Sequence, residues 1–286
     1  MKTIWITGAG GLIGNYLVQS ATQRAGGIGA GAKVVGLTRT MLDLTDFPAV
    51  RAEFRRQQPQ FVIHCAALSQ STACQADPGL ARKLNVEVTS VLAELSADIS
   101  FIFLSTDLVF DGRVGNYDES ASVNPLSVYA ETKAAAERVV LANPIHSVVR
   151  LSLNGGTSAS GSRGFNEQIR RAWEAGQTLK LFEDEFRSPT AAAVTAQAIW
   201  ELAGCNQPGL YHLAGSERLS RLQIGQLLAR RWPELHPRIE AASLKGYNGA
   251  PRSPDTSLNC AKVQKLLSFR LPGLTEWLEA HPDEKF

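Results

Sequence analysis

The segment TIWITGAGGLIG, residues 3–14, decides the fold class of this chain of 286 residues. An apolar strand runs directly into a glycine turn, and a predicted helix opens at the end of that turn. Glycines let backbone N–H groups approach a diphosphate, and the helix N-terminus adds free donors and a favourable dipole. In this context the pattern predicts a dinucleotide-binding loop rather than a structural turn without a ligand. Its predicted cofactor-binding residues are Gly8, Gly11, Leu12, Ile13 and Gly14.

Short apolar runs alternate with helical patterns through the first half of the chain, which predicts right-handed βαβ units and a parallel sheet buried on both faces. After residue 151 the rhythm changes, and short strands and helices alternate with loops rich in small polar residues. We therefore predict an α/β fold, a Rossmann-type doubly wound parallel sheet with a smaller C-terminal substrate lobe. Residues 1–151 would bind the dinucleotide and carry the catalytic residues, and 152–286 would form mainly the substrate lobe, with some interleaving.

The periodicity also predicts the bounds of individual elements. Predicted strands are Thr3–Thr7, Lys33–Leu37, Phe61–Cys65, Phe101–Ser105, Ser147–Leu151, Thr178–Phe182, Leu210–Leu213 and Arg238–Ala242. Predicted helices are Leu12–Arg24, Phe47–Gln57, Gly79–Ala97, Val128–Leu141, Phe165–Ala175, Ala191–Ala203, Ser220–Arg231 and Cys260–Leu267. The glycine-rich segment 26–31 is predicted to be a flexible surface loop, because a second phosphate loop would have to follow a strand.

The residues after the second strand predict which dinucleotide binds. An acidic residue at the end of that strand would indicate NAD, but Thr38 and Arg39 stand there. Arginine can pair with a 2′-phosphate and stack on adenine, so we predict NADP, as NADPH, in preference to NAD. The alternative is a solvated Arg39. Asp43 is placed to accept a hydrogen bond from the adenine amino group beside Leu44, whereas Asp46 is predicted to cap the next helix.

A tyrosine and a lysine at helical spacing form the predicted catalytic pair. Tyr129 and Lys133 share one face of a predicted helix, and a nearby cation would lower the pKa of the phenol. On spacing alone, a core tyrosine with a solvated lysine would be the better interpretation. Upstream, however, a buried strand ends in Ser105, Thr106 and Asp107, where open α/β sheets place their ligands. Thr106 can donate to a substrate carbonyl oxygen, and Asp107 can bind a sugar hydroxyl or cap its loop.

At these residues the chain resembles the extended short-chain dehydrogenase/reductase superfamily, and within it the dTDP-4-dehydrorhamnose reductase group. The matching segments cover nearly the whole chain: TGAGGLIG at 7–14, HCAA at 64–67, LNV at 84–86, STDLVFDG at 105–112, YDE at 117–119, Pro125, Tyr129-x-x-x-Lys133 with Glu137, RSPT at 187–190, GLYHLA at 209–214 and RSPDTSL at 252–258.

The resemblance implies a role for each matching residue. Thr106 would orient the keto oxygen, Tyr129 would donate the proton, and Lys133 would hold the nicotinamide ribose and tune Tyr129. The hydride would pass from the nicotinamide to the carbonyl carbon. Ala66, Ala67 and Ser105 would line the dinucleotide cleft, and Asn85 would stabilise the backbone of the active site. Arg187 and Arg252 would clamp a substrate diphosphate, or each would be a structural arginine.

Departures from the group lie on the substrate side. Leu108 replaces a usual tyrosine, Ala130 replaces a glycine, and residues 191–195 lack the usual acid. We therefore predict an NADP-dependent reductase acting on a nucleotide-activated keto sugar or a similar polar metabolite. The alternatives are a non-catalytic NADP-binding regulatory subunit and a sugar-nucleotide epimerase. A dehydratase would place an acidic pair beside the threonine, but Leu108 follows Asp107.

Net charge, cysteine spacing and hydropathy argue against several other functions. The formal net charge is only +2, which argues against a nucleic-acid binder. The four cysteines lack metal spacing and are expected to be reduced thiols, so neither a metal site nor disulfides are predicted. A strand begins at Thr3, and no apolar stretch is long enough to span a bilayer, so we expect a cytoplasmic protein without a membrane partner. The resemblance allows a homodimer.

Overall fold

The computed structural model describes residues 2–24, 31–249, 251–284 and 286. Apart from Gly31, the glycine-rich segment predicted as a loop lies outside these residues. The strands are β1 (Thr3–Thr7), β2 (Lys33–Leu37), β3 (Phe61–His64), β4 (Ser100–Thr106), β5 (Ser147–Leu151), β6 (Asn154–Gly155), β7 (Thr178–Phe182), β8 (Phe186–Arg187), β9 (Thr190–Ala191), β10 (Gly209–Leu213), β11 (Leu219–Ser220) and β12 (Arg238–Ala242).

The helices follow the same order along the chain. They are α1 (Leu12–Arg24), α2 (Phe47–Gln57), α3 (Ser71–Ala76), α4 (Pro78–Arg82), α5 (Val88–Leu95), α6 (Val128–Leu141), α7 (Phe165–Glu174), α8 (Ala192–Cys205), α9 (Arg221–Arg231), α10 (Ala261–Gln264) and α11 (Leu274–Ala280). A π-helical turn, Lys83–Glu87, joins α4 to α5, and short 3₁₀ turns cover Asp107–Val109 and Pro233–Leu235.

A parallel sheet of six strands, in the order β2-β1-β3-β4-β5-β10, forms the centre of the molecule. The inner strands β1, β3, β4 and β5 are almost entirely buried, whereas the outer strands β2 and β10 are partly exposed. In β1, for example, Ile4 and Ile6 join the core cluster that includes residues of α1 and α8, while Trp5 joins the cluster on the side of α2, α5 and α6. The strand order reverses at β1, which opens a crevice at the carboxyl ends of β1 and β3. The predicted doubly wound fold is thus confirmed.

The second half of the chain contributes to both parts of the molecule. β10 pairs in register with β5 and so completes the central sheet, and α8 packs against α1. The remaining elements build a smaller lobe around a parallel pair of β7 and β12, flanked by α7 and α9. An antiparallel pair of β8 and β11 lies in the same lobe, and β8 places Arg187 beside the end of β4.

Most predicted elements have the observed bounds to within two residues, but the predicted helix Gly79–Ala97 does not. The structure divides it into α4, the π-helical turn and α5, because the turn around Asn85 contains one residue more than an α-helical turn. The predicted helix Cys260–Leu267 shortens to α10, and α3 and α11 were not predicted. Within the described part of the chain, no helix has both the length and the apolar composition that crossing a bilayer would demand.

Candidate active site

The glycine turn between β1 and α1 has the geometry that a diphosphate-binding loop needs. Gly8 adopts φ +68°, and a Cβ there would lie 2.7 Å from the backbone nitrogen of Ala66 after β3. A Cβ on Gly14 would overlap the carbonyl oxygen of Gly8, so a side chain at either position would push the turn out of place. The side chains of Leu12 and Ile13 pack into the core. Because these residues are the first of α1, their backbone N–H groups lie at the helix N-terminus.

A buried hydrogen-bonded chain fixes the floor of this turn. The Thr7 hydroxyl lies 2.6 Å from Nδ1 of His64 and accepts hydrogen bonds from the backbone N–H groups of Cys65 and Ala66. Nε2 of His64 lies 3.1 Å from the Thr89 hydroxyl. Burial, helped by the charge of Lys133, lowers the pKa of His64 to about 3, so the ring is neutral. β1, β3 and α5 are therefore held together directly beneath the predicted cofactor.

The predicted adenine end lies after β2. Arg39 and Asp43 are both exposed, and Asp43 accepts hydrogen bonds from the backbone and hydroxyl of Thr45 at 2.9 and 2.8 Å. These bonds, above all the one from the backbone, lower the pKa of Asp43, which remains a carboxylate. Leu44 packs against the core rather than facing outward. Asp46 accepts from the Ala49 N–H at 3.0 Å, which confirms the predicted cap of α2.

Tyr129 and Thr106 meet at the carboxyl end of the sheet. Burial raises the pKa of Tyr129 to about 12, although a side-chain hydrogen bond with Thr106 works in the opposite direction. The Thr106 hydroxyl also accepts from the Leu108 N–H at 3.2 Å. A phenol with this pKa keeps its proton at neutral pH, and a protonated phenol next to a hydroxyl can donate to a carbonyl oxygen between them.

Lys133 is buried one helical turn beyond Tyr129, but its ammonium group points elsewhere. Nζ donates to the carbonyl oxygen of Leu104 at 2.6 Å and lies 3.8 Å from the centroid of the Phe103 ring. Burial lowers the pKa of Lys133 to about 7. The predicted lowering of the Tyr129 pKa by Lys133 is therefore wrong for this structure, because burial dominates at the phenol and the lysine is directed at β4.

Asn85 connects two backbone segments of the candidate site through its side-chain amide. Its amide oxygen accepts from the Leu68 N–H at 2.8 Å, and its amide nitrogen donates to the Leu68 carbonyl at 3.1 Å and to the Thr132 hydroxyl at 3.0 Å. The side chain thus joins the segment after β3, which contains Ala66 and the exposed Ala67, to α6. Asn85 is almost fully buried, so it acts on the cleft through the backbone that it positions.

Ser105, predicted to line the cofactor cleft, is committed to a buried ion pair. Its hydroxyl donates to Glu137 of α6, which also forms a salt bridge with Arg150 at 2.7 Å. Nη1 of Arg150 in turn lies 3.3 Å from Nε2 of His212 in β10. This network ties α6, the helix that carries Tyr129, to β4, β5 and the outer strand β10. It corrects the role of Ser105 from lining the cleft to supporting α6.

Asp107 and Arg187 bind each other inside the protein. Nε of Arg187 donates to Asp107 at 2.6 Å, and its Nη2 completes a bidentate pair. Ser152 and Thr256 donate to the same carboxylate at 2.7 and 3.1 Å. Since Asp107 has no exposed surface, its predicted contact with a sugar hydroxyl is corrected to an anchoring role. The diphosphate contact of Arg187, which is 6% exposed, stays a prediction.

Two residues that were not predicted lie beside Arg252. Glu185 is buried and accepts from Arg252 at 2.6 Å and from Arg221 at 2.9 Å. Burial acts to raise the pKa of Glu185, but the charges of the two arginines outweigh it and the pKa is lowered. No motif in the sequence singles out Glu185 or Arg221, because their significance depends on β8 and α9 meeting in space.

Comparisons with known proteins show the family of this chain. A family model described as the RmlD substrate binding domain matches residues 1–284. A dTDP-4-dehydrorhamnose reductase of Streptomyces griseus is 30% identical over 96% of this chain and 86% of its own length. Methionine adenosyltransferase 2 subunit beta of Xenopus laevis is 27% identical over 91% of this chain and 81% of its own.

A solved structure shows the same fold. The dTDP-4-dehydrorhamnose reductase from Bacillus anthracis str. Ames, in complex with NADP, superimposes with a TM-score of 0.87 at 22% identity, over 98% of both chains. Together with the match to the family model, the glycine turn and the Thr106–Tyr129 pair lead to one assignment. The chain belongs to the RmlD substrate binding domain family, in the dTDP-4-dehydrorhamnose reductase-like group of the extended short-chain dehydrogenases/reductases.

Proposed function

We propose that this chain is an NADP-dependent reductase that transfers a hydride to the carbonyl of a nucleotide-activated keto sugar. The observation that carries the proposal is that Thr106, at the end of β4, and Tyr129, at the start of α6, lie beside each other at the carboxyl end of the sheet, where the glycine turn also lies. Its relative from Streptomyces griseus is named as a reductase of such a compound. The panel of substrates below tests which sugar and which nucleotide the protein accepts.

The cradle after β1 fits a dinucleotide. Gly8 and Gly14 leave room that a Cβ would fill, and the first turn of α1, residues 12–15, is uncharged. An anion there meets free N–H groups and the positive end of the helix dipole. The exposed Arg39 after β2 supplies a cation for a 2′-phosphate, which supports NADP, the cofactor bound in the Bacillus anthracis structure.

The side chains of the site divide the remaining tasks. When bound, the nicotinamide supplies the hydride. Thr106 orients the carbonyl oxygen, and Tyr129 donates the proton to that oxygen as negative charge develops on it. Lys133 holds the nicotinamide ribose. To do so, its ammonium group gives up its hydrogen bond to the Leu104 carbonyl oxygen and donates to the ribose hydroxyls. Asn85 keeps the segment after β3 and α6 in register during turnover.

The test is oxidation of NADPH in the presence of dTDP-, UDP- and GDP-linked 4-keto sugars. We expect turnover with at least one of them and a loss of at least a hundredfold in kcat for Tyr129→Phe, in line with the usual contribution of a general acid. Tyr211→Phe is the control for loss of a tyrosine hydroxyl, because Tyr211 is buried and donates to the Gln207 carbonyl oxygen at the amino end of the sheet, away from the candidate site. Product analysis distinguishes reduction from epimerisation.

A second function, a non-catalytic NADP-binding regulatory subunit, is favoured by two observations. Lys133 is bonded to Leu104 rather than directed at Tyr129, and relatives named as methionine adenosyltransferase subunits share the family. NADPH binding without turnover of any keto sugar would support this function and contradict the reductase. Turnover that depends on Tyr129 would exclude it, since a regulatory subunit has no use for the phenol.

A further inference from the structure

Three successive turns of α6 present Tyr129, Lys133 and Glu137 on one face, because residues four apart are neighbours on a helix. The proposed reaction uses the first two and gives Glu137 no part. β4 meets this face with two adjacent residues. The Leu104 carbonyl accepts from Lys133 at 2.6 Å, and the Ser105 hydroxyl donates to Glu137. The lysine and the glutamate are therefore held side by side against one strand.

The positive charge of Lys133 has little compensation in its immediate surroundings. Its side chain is almost fully buried, and its ammonium group contacts the Leu104 carbonyl and the Phe103 ring, neither of which is charged. Burial lowers the pKa of Lys133 to about 7, while the charge of Glu137 acts in the opposite direction. A buried ammonium group without a counter-charge releases its proton, so a nearby carboxylate decides how much of the cation remains.

The other titratable groups around Lys133 do not supply this counter-charge. Cys65, after β3, and His64, in β3, both face the lysine. Burial raises the pKa of Cys65 to about 12 and lowers that of His64 to about 3, so both are neutral. The charged residues of α4, the π-helical turn and α5, which pack against α6, are exposed: Arg82, Lys83, Glu87 and Glu94. Among these described groups, Glu137 is the anion that faces Lys133.

Glu137 is held as a carboxylate in one orientation. Arg150 donates to its two oxygens, from Nε at 3.0 Å and from Nη2 at 2.7 Å, and Ser105 adds a third hydrogen bond. Both members of the ion pair are buried. Bidentate pairing with arginine fixes the plane of a carboxylate and favours its ionised form. The negative charge beside Lys133 is therefore built into the fold.

His212 of β10 holds the guanidinium group of Arg150 in turn. Its Nδ1 donates to the Tyr117 carbonyl at 2.9 Å, so Nε2 of the neutral ring is the acceptor that lies 3.3 Å from Nη1 of Arg150. Burial lowers the pKa of His212 to about 4, which keeps the ring neutral. The backbone N–H of His212 donates to Glu119 at 2.9 Å. The YDE and GLYHLA segments of the sequence thus meet at the residue that fixes Glu137.

We propose that Glu137 is a positioning residue for cofactor binding: its carboxylate, fixed by Ser105 and Arg150, supplies the counter-charge that keeps Lys133 a cation for the nicotinamide ribose. Glu137 acts through Lys133 and needs no contact with cofactor or substrate. The inference rests on the proposed function for the task of Lys133, but it concerns charge and binding and is tested without turnover.

The experiment uses the full chain and two measurements. Carbon-13 NMR of labelled lysine Cε atoms, assigned with Lys133→Met, gives the titration of Lys133 in the free protein. Fluorescence titration gives the Kd of NADPH from pH 6 to pH 9. Glu137→Gln removes the charge with little change of shape, and Glu137→Asp keeps it. Glu167→Gln is the matched control, because Glu167 is also a buried carboxylate with several donors, but they belong to the loop before α7.

Glu137→Gln leaves Arg150 buried without its partner, and this single variant can fail to fold. The double variant Glu137→Gln/Arg150→Met removes both charges, and replacing a buried ion pair by neutral side chains is often tolerated. Because Glu137 is the member of the pair that acts on Lys133, the double variant should shift the lysine in the same direction.

The expected result is a shift that depends on pH. Lys133 should titrate near pH 7 in wild type and about one pH unit lower, or more, without the Glu137 carboxylate. NADPH should then bind about tenfold more weakly at pH 8, and the difference should shrink to about twofold at pH 6, where both proteins hold more of the cation. Glu137→Asp should keep the wild-type profile, and Glu167→Gln should match wild type. A merely structural role of Glu137 would weaken binding equally at every pH.

The proposal is overturned if Lys133 titrates at the same pH with and without the Glu137 carboxylate, if the loss of NADPH affinity is equal at pH 6 and pH 8, or if Glu167→Gln shifts Lys133 equally. Failure of the proposed function looks different. A shifted Lys133 and pH-dependent binding of NADPH, without turnover of any keto sugar, would reject the reductase and keep the inference. Turnover of keto sugars with an unshifted Lys133 would do the reverse.

Discussion

Arg187 of β8 forms a buried, bidentate ion pair with Asp107, the residue that follows Thr106 at the end of β4. The pair joins the smaller lobe to β4, the strand that carries the predicted carbonyl-binding hydroxyl of Thr106. Asp107 is fully buried and Arg187 is 6% exposed, so water cannot replace either partner. The ion pair is therefore one of the buried contacts that fix the position of the smaller lobe relative to the sheet.

Removing the cation should destabilise the fold strongly. Arg187→Met leaves the Asp107 carboxylate buried and unpaired, and we expect the free energy of unfolding to fall by about 3–5 kcal/mol in urea denaturation. Adding Asp107→Asn should recover part of the loss, because the buried charge disappears as well. Arg218→Met is the control, since the Arg218–Asp255 pair is 48% exposed at the arginine and should cost less than about 1 kcal/mol. Equal losses for the two arginines would contradict the prediction.

The glycine turn makes a steric prediction about cofactor binding. Gly14→Ala places a Cβ against the Gly8 carbonyl, so the turn must shift and NADPH binding should weaken by at least about tenfold. Gly10→Ala is the control, because its Cβ would meet only the Thr38 methyl group at 4.0 Å. NADPH affinity measured by fluorescence titration should thus separate the two alanines. The same affinity for both would mean that the turn is not where the diphosphate binds.

Arg39 should determine the choice between the two nicotinamide cofactors. Arg39→Ala removes the cation predicted to pair with the 2′-phosphate, so the KM for NADPH should rise by about tenfold or more while the KM for NADH stays unchanged. Arg55→Ala, on the exposed face of α2, provides the control for loss of a surface charge. A preference for NADPH that survives Arg39→Ala would remove Arg39 from the cofactor site.

Lys133 should make stability depend on pH above neutrality. Burial lowers its pKa from 10.5 to about 7, so between these values the unfolded chain holds a proton that the folded chain has released. The free energy of unfolding should therefore rise with pH in this window, by at most about 1.4 kcal/mol per pH unit from this group. Below pH 7 both states are protonated, and the cost of the buried ammonium is fully present.

The measurement compares wild type with Lys133→Met in urea at pH 7, 8 and 9, because contributions of all other groups cancel in the difference. The variant should lose the rising component, so that its advantage over wild type is largest at pH 7. A difference that does not change with pH would show that Lys133 stays protonated, held by the Leu104 carbonyl and the Phe103 ring.

Elements whose formation depends on local pattern were predictable from the sequence. The bounds of β1, β2, α1, α2 and α6 agree with the periodicity, and Asp46 caps α2 because an aspartate before a helix has a local partner in Ala49. The glycine turn and the Thr106–Tyr129 pair were likewise found from motifs. Each of these features lies within one strand–helix unit or at one sheet edge, where parallel strands bring their ends together.

Features that depend on distant partners were not predictable. Asp107 and Arg187 were both predicted as substrate contacts, but they pair with each other across 80 residues of sequence, and residue types do not reveal such pairing. The Lys133 side chain points at β4 because its ammonium group bonds to the Leu104 carbonyl there, and the sequence does not show this contact. The π-helical turn that aims Asn85 at Leu68 is only 5 residues long, too short to show a hydrophobic period of its own.

The late arrival of β10 in the chain has a consequence for biosynthesis. β5 is an outer strand until Gly209–Leu213 has left the ribosome, and its apolar edge is unpaired in any nascent chain that ends before α8. Unpaired, apolar edges recruit other strands, so a polypeptide comprising residues 1–151 should aggregate instead of folding into a free nucleotide-binding module. Chaperone dependence during synthesis should end only when the sixth strand has been added.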